Sequence, residues 1–101
     1  MVFGSSVISS PRGNLSLKAT LDLANMFLEN AGKSTNPEII LVLCHETEIS
    51  LSQAKKIAKT TKDGSMDYWI ATTYHGLGDL LDKHNHRNQA EAFREKSKKW
   101  G

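Results

Sequence analysis

Three groupings of residues carry the side-chain types that chemistry needs. Cys44-His45 with Glu48 places a thiol, an imidazole and a carboxylate within one short stretch. These are the donors of a zinc site and the partners of a nucleophile–base pair. In a helix residues 44 and 48 share a face, but His45 is turned about 100° from Cys44. Structural zinc also takes four ligands, usually in paired spacings. Cys44 instead lies on an apolar stripe, an ordinary place for a small buried thiol. The second grouping, His84-x-His86 beside Asp82, has donors for a weak transition-metal site, yet imidazoles at a helix end are equally explained by the helix dipole. No metal site is expected at either. A thiol–imidazole pair of Cys44 with His75 would have to form across the fold. The chain holds no Gly-rich phosphate loop, Gly-x-Ser-x-Gly, Cys-x-x-Cys or His-Glu-x-x-His. The expectation is a non-enzymatic protein without a cofactor.

The third grouping is basic. The net charge is only +2, but it is unevenly divided. Residues 1–50 hold three basic and five acidic groups, and residues 51–101 hold ten basic and six acidic. The excess falls in two clusters, Lys55, Lys56, Lys59 and Lys62, then Arg94, Lys96, Lys98 and Lys99. Trp100 stands beside the second cluster, where it could stack on a base or an aromatic partner. Nucleic-acid modules are usually more basic overall and carry recognisable motifs, so nucleic acid is not the first expectation. A solvated face or an acidic protein partner fits better. An anion-binding or nucleic-acid-binding helical module that uses these lysines is the alternative reading.

The elements that must position these groups read as helices. Leu17, Leu21, Ala24, Leu28 and Ala31 recur at spacings of four and three, which predicts a first helix over about 16–31 stopped by Gly32. Asn36-Pro37-Glu38 combines an N-cap, a proline for the first turn and an acid for the dipole. Ile40, Cys44, Thr47, Leu51, Ala54 and Ala58 continue the pattern to about 61, the longest helix. Asp63-Gly64 marks a turn. Ile70, Tyr74, Leu77 and Leu81 carry a third helix, with Trp69 expected to pack across from the second. Asn85-His86 breaks it, and Ala90, Phe93 and Ser97 carry a fourth helix over about 87–99. No stretch alternates as a strand would. The expected fold is all-α: four helices in two antiparallel hairpins, forming a single domain over 15–101.

Residues 1–14, rich in serine and glycine, read as a disordered tail without the pattern of a signal peptide. The longest apolar run has six residues, Ile39 to Cys44, where a membrane span needs about 20. One cysteine forms no internal disulfide, so a cytoplasmic location away from membranes is expected. The ending Lys98-Lys99-Trp100-Gly101 reads as a helix stop before further sequence. Leu, Ile, Val and Phe number 23 in 101 residues, just above the roughly 20% below which chains tend to stay disordered, and they are concentrated after residue 14.

An internal correspondence accompanies the helices. Leu23-Ala24-Asn25-Met26-Phe27-Leu28 overlays Leu77-Gly78-Asp79-Leu80-Leu81-Asp82 without a gap. A small residue lets a paired helix approach, and large residues a turn later fill the space beside it. Tyr74-x-x-Leu77-Gly78-x-x-Leu81 followed by Ala90-x-x-Phe93 resembles a tetratricopeptide repeat, and Leu23-Ala24-x-x-Phe27 resembles a divergent second copy. The second helix is longer than the family's roughly 34-residue unit accommodates, and no proline closes either copy. The stretch from Gly76 to Gly101 is also similar to helical segments of fungal NACHT-type signalling proteins.

The repeat resemblance implies an adaptor or scaffold that binds a partner's peptide or helix in a groove. Its groove positions would be Lys18, Leu21, Asn25, Leu28 and Glu29 in the first unit. In the second they would be Thr72, His75, Asp79, Asp82 and Lys83. Asn25 matches the asparagine with which chaperone-binding members grip a C-terminal carboxylate, while the basic residue a turn earlier is here Leu21. Apolar contact would come from Leu21 and Leu28, and direction from Asn25, Asp79 and Lys83. Self-association through uncapped repeat ends is a further expectation.

Overall fold

The computed structural model describes residues 16–100; the segment 1–14 read as a tail lies outside the described residues. Four helices follow in order, α1 Leu17–Lys33, α2 Pro37–Thr61, α3 Asp67–Lys83 and α4 Arg87–Trp100, with no strand among the described residues. Helix α1 pairs with α2 and α3 with α4, giving two hairpins packed into a small all-α bundle. No helix among them is long and apolar enough to cross a membrane.

Local chemistry sets the ends. The Ser16 hydroxyl accepts the Ala19 N–H at 3.1 Å, capping α1. The Asn36 side chain accepts the Glu38 N–H at 3.0 Å, with Pro37 in the first turn of α2. One expected stop falls elsewhere, while α2 ends at Thr61 as its pattern implied. Helix α1 runs through Gly32 to Lys33 and closes on Ser34. The left-handed residue after α2 is Lys62 (φ 55°), not a glycine, and the Asp63 N–H returns to the Ala58 carbonyl at 2.9 Å. Asn85 (φ 68°) makes the left-handed turn between α3 and α4, a conformation asparagine tolerates better than most residues.

The core is the set of stripes anticipated from spacing. Leu21, Ile40, Leu51, Ile70, Tyr74, Leu77 and Leu81 are all buried in one cluster. The Tyr74 ring stacks on Phe93 of α4, centroids 6.1 Å apart and planes inclined by 20°. The small residues of the internal correspondence, Ala24 and Gly78, are both buried. A Cβ on Gly78 would stand 3.1 Å from the Ala90 carbonyl oxygen, so α4 approaches α3 closely enough that an added side chain must push it slightly aside.

Polar contacts hold the helices to one another, within a hairpin and between the two. Between α3 and α4, Arg94 reaches Asp79 at 2.9 Å and Asp82 at 3.2 Å. On the same pair of helices the Ser97 hydroxyl donates to the Ala71 carbonyl at 2.8 Å. Between α1 and α3, the Thr73 hydroxyl donates to Asn25 Oδ1 at 3.0 Å.

Trp69 departs from expectation. It is 53% exposed and meets Tyr68, itself 68% exposed, edge to face at 5.2 Å. The apolar space beneath α3 is already filled by Ile70 and Tyr74, so the indole is turned away from it.

Candidate functional site

Two surfaces bring side chains together. The first spans α1 and α3. The helices meet where Thr73 bonds Asn25 and where Gly76 faces Leu28, whose Cδ2 is 3.2 Å from a Cβ position on that glycine. Exposed residues of α1 run Lys18, Asp22, Asn25, Met26 and Glu29. Those of α3 run Tyr68, Thr72, His75, Asp79 and Lys83, a single stripe at helical spacing. Trp69, one turn before Thr73, stands at the edge nearest α1.

Most of the groove residues implied by the repeat resemblance therefore share one side of the bundle, with three changes of role. Leu21 is 3% exposed and belongs to the core, because the stripe that builds the fold claims it. Leu28 is half-buried against Gly76. Asn25 uses part of its amide inside the fold: Nδ2 donates one N–H to the Leu21 carbonyl at 3.2 Å while Oδ1 accepts from Thr73. It pins α1 to α3.

Lys18, Glu29, His75 and Asp79 are paired internally. Lys18 meets Asp22 at 2.8 Å, Glu29 meets Lys33 at 3.7 Å and His75 meets Asp79 at 3.3 Å. Asp82 turns toward α4, where Arg94 and Arg87 (3.5 Å) hold it. Outward alongside Thr72 and Lys83 stand three aromatic and apolar side chains, Tyr68, Trp69 and Met26, the last 46% exposed. Spacing missed these three. The available signal was Tyr68, which begins the exposed 68-72-75-79 stripe.

The second surface lies between α2 and α4. The two basic clusters partly merge there: Lys55 and Lys59 of α2 line a cleft of about 430 Å³ with Lys96 and Lys99 of α4 and Asp67 of α3. Lys55 Nζ stands 5.5 Å from the centre of the Tyr74 ring, and Lys96 Nζ stands 6.0 Å from it. Burial, then the charges of Lys96, Lys59 and Lys99, lower the pKa of Lys55.

The other basic residues do not join. Lys56 is exposed away from the cleft residues, Lys62 forms the α2 cap, and Lys98 pairs with Glu95 at 3.3 Å. Arg94 is engaged by carboxylates: its guanidinium donates to Asp79, Glu91 and Asp82, which holds it firmly in the charged form.

The residues first considered for reaction chemistry stay apart. Cys44 is 5% exposed in the core, while His75 lies on the outer stripe of α3 beside Asp79. Among the described residues no three His, Cys, Asp or Glu side chains are grouped to hold a metal ion.

Burial pushes the Cys44 thiol from its usual 9.0 up to about 11. It pushes the Tyr74 phenol up to about 12, with the charge of Glu48 adding to the rise. A thiol whose folded pKa is raised keeps its proton after the unfolded chain has lost its own, so its contribution to stability falls between about pH 9 and 11. Thermal melts across that range should therefore fall more steeply for the native sequence than for Cys44→Ala. Equal slopes would show that the thiol titrates alike in both states.

Compared with known proteins, the chain matches no family model, no curated sequence and no solved structure.

Proposed function

We propose that this chain is a non-enzymatic protein-interaction module, an adaptor that receives a partner's peptide or helix on its α1–α3 face. The observation that carries the reading is the outward pair Tyr68 and Trp69, 68% and 53% exposed, on the side that also presents Met26. Large aromatic side chains cost little conformational entropy to immobilise and dominate interface energetics. A folded domain with a core aromatic as well packed as Tyr74 has no structural need for two more in solvent. The tetratricopeptide-like order of residues and the two-hairpin bundle support the same reading. The lone buried thiol of Cys44 suits a reducing compartment such as the cytoplasm.

The test is capture from source-cell extract on the immobilised protein, with the retained protein quantified. Tyr68→Ala with Trp69→Ala removes two exposed side chains, so helix content by circular dichroism should stay unchanged. Retention should fall about tenfold or more, as expected for the loss of interface anchors. Undiminished retention by a folded double variant would overturn the assignment.

A further inference from the structure

We propose that residues 1–15 of this chain lie along the outer face of the α1–α2 hairpin and cover it, with Val7 and Ile8 seated against Ile39 and Val42. Interhelical contacts define that face. Asn25 and Leu28 mark the flank of α1 turned to α3, and Glu48, 3.6 Å from Lys96, marks the flank of α2 turned to α4. The opposite flanks of the two helices lie side by side, away from the second hairpin. Leu23 and Phe27 of α1 stand there at helical spacing, with Ile39, Val42, Glu46 and Ile49 of α2. Ile39 is 47% and Val42 60% exposed, and the other four are half-buried. All but Glu46 are apolar, on a side that neither α3 nor α4 covers.

The occupant follows from where the chain enters α1. Helix α1 has 17 residues, so in an antiparallel hairpin its first turn stands level with Gln53, 17 residues into α2. From Gln53 back to Ile39 is 14 residues, about 21 Å of helix. Ile8 precedes Ser16 by eight residues, a reach of about 26 Å in extended chain. Pro11 favours that extension, because a proline keeps the residue before it out of the helical region. Val7 and Ile8 therefore come to the Ile39 end with little slack.

The segment's make-up fits the seat. It holds one charged side chain, Arg12, beside Val2, Phe3, Val7, Ile8 and Leu15, whereas segments left in solvent are usually rich in charge. At the Ser16 end, Gln53 Oε1 is buried without a hydrogen-bond partner among the described residues. It is an acceptor for a backbone N–H of the passing segment. A second copy or a foreign helix would have to compete with this tethered occupant, whose effective concentration is roughly millimolar.

The test uses the full chain. In a Cys44→Ala background, Ile8→Cys with Val42→Cys and Ile8→Cys with Thr72→Cys are oxidised with diamide at low protein concentration. Thr72 is exposed on α3 and within the same tether, so a segment free in solvent would reach both positions. The Val42 pair should instead close within the chain about tenfold faster. Melting supplies a readout without added cysteines. Val7→Asp with Ile8→Asp should lower the midpoint by about 4–8 °C, and should have little further effect once Val42→Asp has removed the seat. Tyr68→Ala with Trp69→Ala should change neither result, so this surface and the α1–α3 face succeed or fail separately. Equal closure of the two cysteine pairs would overturn the inference, as would disulfide-linked dimers as the main product. So would an unchanged midpoint in the Val7→Asp, Ile8→Asp variant, or shifts that simply add to that of Val42→Asp.

Discussion

Tyr74→Ala is expected to cost about 3–5 kcal/mol of folding stability, in the range found when a large buried aromatic is truncated. The ring is fully buried and lies where three helices converge. It stacks on Phe93 of α4, and the ammonium groups of Lys55 from α2 and Lys96 from α4 stand over it. Truncation leaves a cavity and removes the attraction of the ring's negative face for two cations. Domains of this size have about 5–15 kcal/mol in total, so the variant should melt far below the native protein or lose its cooperative transition. Tyr74→Phe is the control. It keeps the stacking and both cation contacts, and should change stability by about 1 kcal/mol or less. A Tyr74→Ala protein with a near-native melting midpoint would mean that the three helices are held together elsewhere.

Gly78→Val should be the next most damaging single change, at about 1–3 kcal/mol. Space at this position is limited by the Ala90 carbonyl oxygen at 3.1 Å and Arg94 Cγ at 3.2 Å. The arginine can turn aside, but a helix carbonyl moves only with its helix, so α4 must shift outward. That shift loosens Phe93 against Tyr74 and lengthens the Arg94 contacts to Asp79 and Asp82. Gly78→Ala meets the same carbonyl with less bulk, and recovers about 0.8–1.0 kcal/mol because alanine favours helix over glycine. Its net effect should be much smaller. Urea melts with amide hydrogen exchange would check both, the valine variant showing faster exchange along α4. Slow, native-like exchange there would show that the helix tolerates the displacement.

The helices were legible because each is written locally. The stripe of Leu17, Leu21 and Ala24 defines α1, and Asn36-Pro37 announces α2 within three residues. Gly32 misled as a stop because a glycine with no left-handed angle and open space around it can remain helical. Leu21 was read both as core and as groove, and burial decides between them: a residue that builds the stripe has nothing left for a partner. Trp69 could not be placed from spacing, since it falls at the edge of the buried arc, where Ile70 and Tyr74 already fill the interior. The lysine cleft was half legible. The clusters are plain in the sequence, but their meeting depends on α2 lying beside α4, some forty residues away in the chain. The same long-range geometry removes Arg94 from the basic set and gives it to the carboxylates of α3.

The pairing of neighbours, α1 with α2 and α3 with α4, bears on how the chain reaches its native state. Each hairpin closes over a short connection, so little loop entropy is lost before apolar contacts begin to form. Contacts local in sequence are the hallmark of domains that fold in microseconds to milliseconds. The junction between the hairpins, with Asn25 against Thr73 and Leu28 against Gly76, can then assemble from two preformed halves. The slow, search-limited part of folding is thereby confined to a single docking event between them.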